Sequence, residues 1–544
     1  MNNKDFARSG ETERKESIVS ELFAQTVYEE LSEDFILPDV LPDVKRLLTV
    51  TPSVLLGESS VTDKGILFVG EVSCSILYCS DTDKLKSVTY QVPFRHEEGV
   101  AGVAERSCTL SVIPYISEDA TRLLNPRKIG IRIKLCAGIR VFGSDSVSVG
   151  VSGTHSADDA LAMERDTCTA KRLRILTGEK QNVNVSEDIE LDSTNPTIGE
   201  IIGCSLRIVP AETRVIQENA EIVAEAVFRC LYESENGNYF VVVKRFRLEE
   251  SVEIPEAENG SECLTRIYCG PVRVSAQNNS YGERRIIELD ASFHVSVAAM
   301  SNEETVLTRD AYSTEYVSVN TYENRRIASF ERSFSTNFSL NASKAREECA
   351  AEQANAILDG DTEAVLTGIR YDRERKKLIL EGTARITAVT VSPPSGEAEE
   401  LQYGLSEFQE PFRCEMDVPG YGDDSDAIAV CDVMTTRYRL DSTRVYADAE
   451  IGIRLYLINN KPQTIVTGIE LDAEKPYETQ KLPPVTLYYP RQGETLWEIA
   501  KRYHTTRYAI CRANGIEEET AQPDAHVLLI PRGKKKAPSY SKII

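Results

Sequence analysis

The sequence predicts a mainly β chain: three tandem β-rich repeat domains, sandwich or barrel-like, followed by a small βααβ module. Three observations predict it. Apolar and polar residues alternate at every second position through most of the chain, landmarks recur at a domain-sized spacing, and one short C-terminal stretch carries helix signals. The alternation is clearest where Ile66, Phe68, Val72, Cys74 and Ile76 point one way while Glu71, Ser73 and Ser75 point the other; Val88, Tyr90 and Val92 repeat it. A period of two marks half-buried strands in antiparallel sheets.

The repeat is legible as register. Ser32-Glu33-Asp34-Phe35-Ile36-Leu37 recurs as Ser186-Glu187-Asp188-Ile189-Glu190-Leu191, a shift of 154 residues, and at that shift Pro42 falls on Pro196 and Leu77-Tyr78 on Leu231-Tyr232. A third, more divergent copy opens near Phe338-Ser339-Leu340, with Gly70 matching Gly382. Arg127-Lys128-Ile129, Arg284-Arg285-Ile286 and Thr443-Arg444-Val445 each open a long strand. Solenoid repeats run to only ~20–50 residues, so this longer period predicts homologous domains at 20–165, 175–325 and 330–475, behind a disordered tail at 1–19. Turn residues such as Ser80-Asp81-Thr82-Asp83 and Glu235-Asn236-Gly237-Asn238 join the strands. The pattern leaves strand order open. Short helices are expected at Pro42–Leu48, where Pro suits a first turn, and in the Ala- and Glu-rich stretch 342–358.

A Pro-containing linker at 476–484 leads to the module at 485–531. Val485–Tyr489 and Val527–Ile530 read as strands bracketing two helices. Thr495 and Glu498 have the spacing of a capping box. Leu496, Ile499, Ala500 and Tyr503 then share one helical face. A second helix over 506–513 stops at Asn514-Gly515, residues that tolerate a left-handed helix end. A basic tail follows at 532–544 and could meet anionic lipid or an acidic partner.

Composition bounds the rest. A chain of 544 residues exceeds one hydrophobic core. A net charge of −24 argues against nucleic acid as a partner. The opening MNNKDFARSGETERKES has no apolar core of a secretory signal, and no stretch approaches a membrane span. With 13 scattered cysteines, this predicts reduced thiols and a cytoplasmic protein.

The search for chemistry finds neither a phosphate loop, a nucleophile elbow nor a zinc-protease motif, so no catalytic residue, cofactor or metal site is assigned and the chain is read as a non-enzyme. His294 alternates with Phe293 and Val295 and reads as structural. His504, ending a helix, suits a cation or donor on free carbonyls. Cys74, Cys79, Cys263, Cys269 and Cys511 lack zinc spacing and read as small buried hydrophobes. Asp81-Thr82-Asp83 and Asp423-Asp424-Ser425-Asp426 lack the calcium-loop pattern and read as solvated turns.

Two resemblances follow from these residues. Gly493-Glu494-Thr495-Leu496-Trp497, Ile499-Ala500, Thr505-Thr506, Ile510, Asn514-Gly515 and Leu528-Leu529-Ile530-Pro531 resemble the LysM family. That family's members usually bind N-acetylglucosamine polymers in a shallow groove. The resemblance puts such a groove at Gly493, Glu494, Thr495 and Leu496 with Asn514, Gly515 and Ile516. Pro523-Asp524 stands where the family has Pro-Gly, and Arg507 and Ala513 replace larger apolar residues. Three β repeats, carried by PDVKRLLTV, EVSCSILY with VPF, and RKIGIRIKL, with one LysM module behind them, resemble the SipL-like spore-coat morphogenetic proteins. That resemblance implies a mother-cell protein at the forespore surface, binding a SpoIVA-like coat ATPase and other coat proteins, with membrane contact only indirect or through the tail. The competing reading is a wall-associated peptidoglycan binder. Trp497, the single tryptophan, reads either as packing against Tyr489 or the second helix, or as an aromatic anchor for a protein partner. Lys501 and Arg502 would fringe such a surface.

Overall fold

The computed structural model describes residues 14–103, 106–152, 162–349, 351–394, 401–478, 483–517 and 527–531. The tail at 532–544, Pro523-Asp524, His155 and His526 lie outside them.

Period-two alternation becomes long antiparallel strands. The first stretch contains β1 (Arg14–Ile36), β2 (Val44–Thr62), β3 (Gly65–Ser80), β4 (Leu85–Gly99), β5 (Ser107–Asp119), the short β6 (Arg122–Asn125) and β7 (Lys128–Ser152). One sheet has the order β2-β3-β4; in the other, β7 pairs with β1, β5 and β6. The second stretch repeats the plan with β8 (Met163–Glu190), β9 (Ile198–Ile216), β10 (Asn219–Ser234), β11 (Tyr239–Glu253), β12 (Glu262–Asn278) and β13 (Arg284–Ser313). Its sheets are β9-β10-β11 and β8-β13-β12. The third uses β14 (Tyr316–Ala345), β15 (Ala356–Asp372), β16 (Lys377–Ser392), β17 (Gln402–Asp417), β18 (Ser425–Leu440) and β19 (Arg444–Pro476), in sheets β15-β16-β17 and β14-β19-β18. Each unit is thus a sandwich of two antiparallel sheets around its own apolar core.

The sequence landmarks have physical roles. Tyr78 and Tyr232 donate their hydroxyls to the carbonyls of Pro42 and Pro196, at 3.3 and 3.0 Å. Gly70 and Gly382 lie under aromatic rings: a Cβ on either would collide with the ring of Phe94 or Phe412 and with a neighbouring carbonyl. The second unit has Ala224 opposite Leu248 at the same register position.

The three sandwiches close on one another. The same backbone bond ends the first strand of each, from Leu37, Leu191 and Arg346 N–H to Arg127, Arg285 and Thr443 C=O. Counted equally from these pairs, Phe142, Met300 and Ile458 are equivalent, as are Val19, Leu173 and Ala328, and all six are buried in one shared cluster. Leu77, Leu231 and Val389 form a second joint cluster. Every pair of units also exchanges polar contacts. Lys84 meets Glu233 at 3.0 Å, Arg207 meets Asp361 at 2.7 Å, and Arg140 bridges Glu21 and Asp426 at 2.6 Å each. The buried His294 donates through Nδ1 to the Leu56 carbonyl at 2.9 Å, which ties the second unit to the first. Basic side chains face both acidic runs: Arg373, Arg326 and Arg140 approach Asp423, Asp424 and Asp426, and Lys45 pairs with Asp83.

Three expectations are corrected. Residues 14–19 are strand and not tail, because Ile18 and Val19 are buried. Pro42–Leu48 is not a helix; β2 starts at Val44 and carries bulges near Lys45 and Leu48. Across these bulges, buried Val44 turns into the unit's own core and buried Leu48 into the cluster shared with the other units. Among the described residues of 342–358, the helical part is one 3-10 turn, Arg346–Cys349, between β14 and β15. Its alanines serve close packing, since Ala342, Ala351 and Ala354 are buried against Ile386, Phe408 and Val445. In the third copy, which opens near Phe338-Ser339-Leu340 by sequence, strand pairing puts Arg346 at the position of Leu37.

Candidate functional site

The C-terminal module contains β20 (Val485–Tyr488), α1 (Leu496–Arg502), α2 (Arg507–Asn514) and β21 (Leu528–Pro531). The capping box is complete: Thr495 Oγ1 accepts from Glu498 N–H at 3.2 Å, and Glu498 accepts from Thr495 N–H at 2.9 Å. Thr506 caps α2, and Gly515 ends it with φ +64°. Leu496, Ile499, Ala500, Ile510, Cys511, Leu528 and Ile530 form the core.

The seven groove residues divide into two groups. Glu494 is 8% exposed, and its carboxylate accepts from Tyr488 O–H, Arg491 N–H and Arg502. Burial raises its pKa, but those hydrogen bonds outweigh it and hold the group below the ordinary glutamate range. Asn514 spends its amide on the Ile510 and Leu529 carbonyls and the Leu529 N–H, at 2.7–2.8 Å. Leu496 is core. These three build the module. Gly493, Thr495, Gly515 and Ile516 remain at or near its surface.

The face of Trp497, Lys501 and Arg502 is placed differently. Trp497 packs edge-on to Tyr312 of β13, with ring centroids 4.8 Å apart. Its indole N–H donates to Asp310 Oδ2 at 2.8 Å, and Lys501 Nζ lies 2.8 and 2.7 Å from the two carboxylate oxygens. Tyr322 and Asn320 of β14 donate to the same carboxylate, at 2.9 Å each. Burial pushes the Asp310 pKa up, yet these donors together hold it below the ordinary aspartate range. Tyr312, 3% exposed, belongs to the module's core cluster and donates to the Thr505 carbonyl at 2.7 Å. Arg502 stays on the module, 2.7 Å from Glu494. Trp497 is therefore half-buried, packed both against the module's own core cluster, which includes Ile510 and Cys511 of the second helix, and against Tyr312 of the second repeat. His504 stacks on Tyr477 at 3.5 Å between ring centroids, and burial pushes its pKa down, which favours the neutral ring over the cation expected at a helix end. Asp310 and Tyr312 had no signal in the sequence, because their partners lie almost 190 residues further along the chain.

Two stretches of this chain match known families. Residues 43–118, spanning most of β2 to β5, match the SPOCS domain of SipL, and residues 491–527 match the LysM domain. The chain is thus similar to SipL over residues 43–118 and to LysM modules over residues 491–527. Both SipL and LysM are non-catalytic binding families. Comparison with curated proteins and with solved structures returned no match. The SPOCS and LysM matches support a sporulation-related protein. Among the described residues, no three His, Cys, Asp or Glu side chains gather as metal ligands, and no helix is long and apolar enough to cross a membrane. Cys74, Cys79, Cys263 and Cys511 are buried and Cys269 half-buried; burial pushes the Cys74 thiol up to about 12.

Proposed function

We propose that this chain is a non-enzymatic scaffold of spore-coat morphogenesis that tethers the coat to the forespore by binding a SpoIVA-like basement-layer ATPase through its LysM module. The supporting observation is the joint presence, in one chain, of a SPOCS match and a single LysM module. A single module lacks the avidity that several linked copies would give a wall binder. The protein would act in the mother-cell cytoplasm at the forespore surface, with its sandwiches offering surface to other coat proteins. Trp497, with Lys501 beside it, has the composition of a partner anchor. The second reading, peptidoglycan binding, is favoured by the surface placement of Gly493, Thr495, Gly515 and Ile516.

The test is capture of the ATPase and of peptidoglycan sacculi by the full chain, by a chain ending before Val485, and by Trp497→Ala. ATPase capture by the full chain alone supports the proposal. Truncating an anchor typically costs ~2 kcal/mol, so Trp497→Ala weakens capture about thirtyfold. Tight sacculus binding without ATPase capture overturns it in favour of the second reading.

A further inference from the structure

The geometry points to an intramolecular latch: Asp310 of the second repeat holds the LysM module against β13, covers the Trp497 face, and must release it before a protein partner can engage that face. This rests on the reading that the module recognises a protein through Trp497.

Four observations carry it. First, the Asp310 carboxylate is shared between two bodies. Tyr322 and Asn320 orient it from β14, while Trp497 and Lys501 supply donors from the module. The residue sits where the pairing of β13 with β8 shifts register, a bulge that re-aims side chains. Second, the place is particular to the second repeat. The corresponding ends of β7 and β19 pair with each other in a short parallel bridge, Gly150–Ser152 against Gly468–Glu470. The end of β13 pairs with β8 instead and packs Ala311 against that bridge, while its Asp310 and Tyr312 meet the module. Third, Tyr312 is buried among module residues and bonded to Thr505, so this part of β13 is covered only when the module is docked. Fourth, the contact is chosen in kind. It uses two aromatic edges, one ion pair and a few hydrogen bonds, the polar composition of a reversible interdomain contact. It involves Trp497, Lys501 and the turn between the helices, while Gly493 and Gly515 stay exposed. Docking therefore closes the aromatic face and leaves the glycan-type loops open. A ligand that binds only the undocked module has its apparent affinity reduced by the fraction undocked.

Trp497 is the only tryptophan, so its emission reports the latch without any partner. The experiment measures acrylamide quenching of Trp497 and affinity for the coat ATPase, using the full chain and its Asp310→Ala variant. The latch predicts a quenching constant raised about twofold or more and ATPase binding tightened about tenfold, the value for a docked state favoured ten to one. If Asp310→Ala lowers the melting temperature, Tyr312→Phe, which removes only the hydroxyl donated to Thr505, carries the same two predictions. Unchanged quenching in the folded variants overturns the latch. Raised quenching with weaker ATPase binding overturns the masking, because Asp310 would then belong to the partner surface. Raised quenching with no ATPase capture by any form overturns the partner reading, and with it the competition, while the docking by Asp310 stands.

Discussion

At the scale of single residues, sequence motifs and structural roles diverge most clearly at Asn514. By pattern it belongs to a glycan-type groove, yet its amide joins the end of α2 to β21 through three hydrogen bonds. Leaving such backbone groups unpaired costs about 1–3 kcal/mol. Asn514→Ala should therefore speed amide exchange in β20 and β21 while the sandwich strands stay protected; slow exchange there would return Asn514 to the ligand surface. Gly70 makes the complementary case, because its match to Gly382 was legible but its reason was not. Both glycines make room for a ring, Phe94 or Phe412, whereas the second repeat solves the same space with Ala224 and Leu248. Overpacking a filled site costs about 1–3 kcal/mol. Gly70→Ala should lower stability by that amount in denaturant titration, and adding Phe94→Leu should recover most of it. A double variant no better than the single would show that the Leu55 carbonyl, and not the ring, is the obstacle. Tyr78 and Tyr232 show what a sequence landmark can mean: each donates to a proline carbonyl that recurs with it.

At the scale of elements, legibility followed locality. The capping box at Thr495 and Glu498 and the left-handed stop at Gly515 are local, and both were readable. The start of β2 was misread because Pro42, which suits a helix's first turn, instead presents its carbonyl to Tyr78 ahead of the strand, and the alanines of 342–358 because close packing uses the same residue as helix propensity. The docking of α1 on β13 had no local signal at all, since Trp497 meets Asp310 only through the tertiary fold. That docking should depend on pH. Burial against Tyr477 lowers the pKa of His504, and donors on Asp310 lower its pKa as well. For both groups the released module binds more protons than the docked one, so docking is favoured as pH rises. The His504 contribution is fully present above the ordinary histidine value and fades as pH falls below it. The Asp310 contribution is lost only at pH values below the ordinary aspartate range. Quenching of Trp497 should therefore increase between about pH 7 and about pH 5, within the histidine range, and His504→Gln should flatten that limb. A flat profile in the unchanged chain would mean that His504 keeps its environment on release.

For the whole molecule, the question is whether three sandwiches amount to three stability units or one. Ile129–Phe142 reads as a long strand in which Arg132, Lys134 and Arg140 interrupt the apolar residues, the pattern of one buried face. It could not show what covered the second face, because the equivalent residues differ in identity: Phe142, Met300 and Ile458, with Val19, Leu173 and Ala328. In the structure these side chains cover one another where the three units meet, and Leu77, Leu231 and Val389 do so in a second cluster. Arg140, Arg207 and Lys84 add ion pairs across the three junctions, but partly exposed pairs contribute little, on the order of 0–1 kcal/mol. The shared apolar clusters are therefore the stronger link, and they tie each unit's surface to the other two. Ile458 is 0% exposed in that cluster. Truncating such a residue to alanine typically costs about 2–5 kcal/mol. If the units stood alone, Ile458→Ala would lower one of several calorimetric transitions and leave the others in place. With a shared centre, the repeat region should unfold in one main transition, and Ile458→Ala and Met300→Ala should each shift that whole transition downward, although they lie in different repeats. Separate transitions that respond only to the variant in their own repeat would show that the clusters are contacts between independently stable domains.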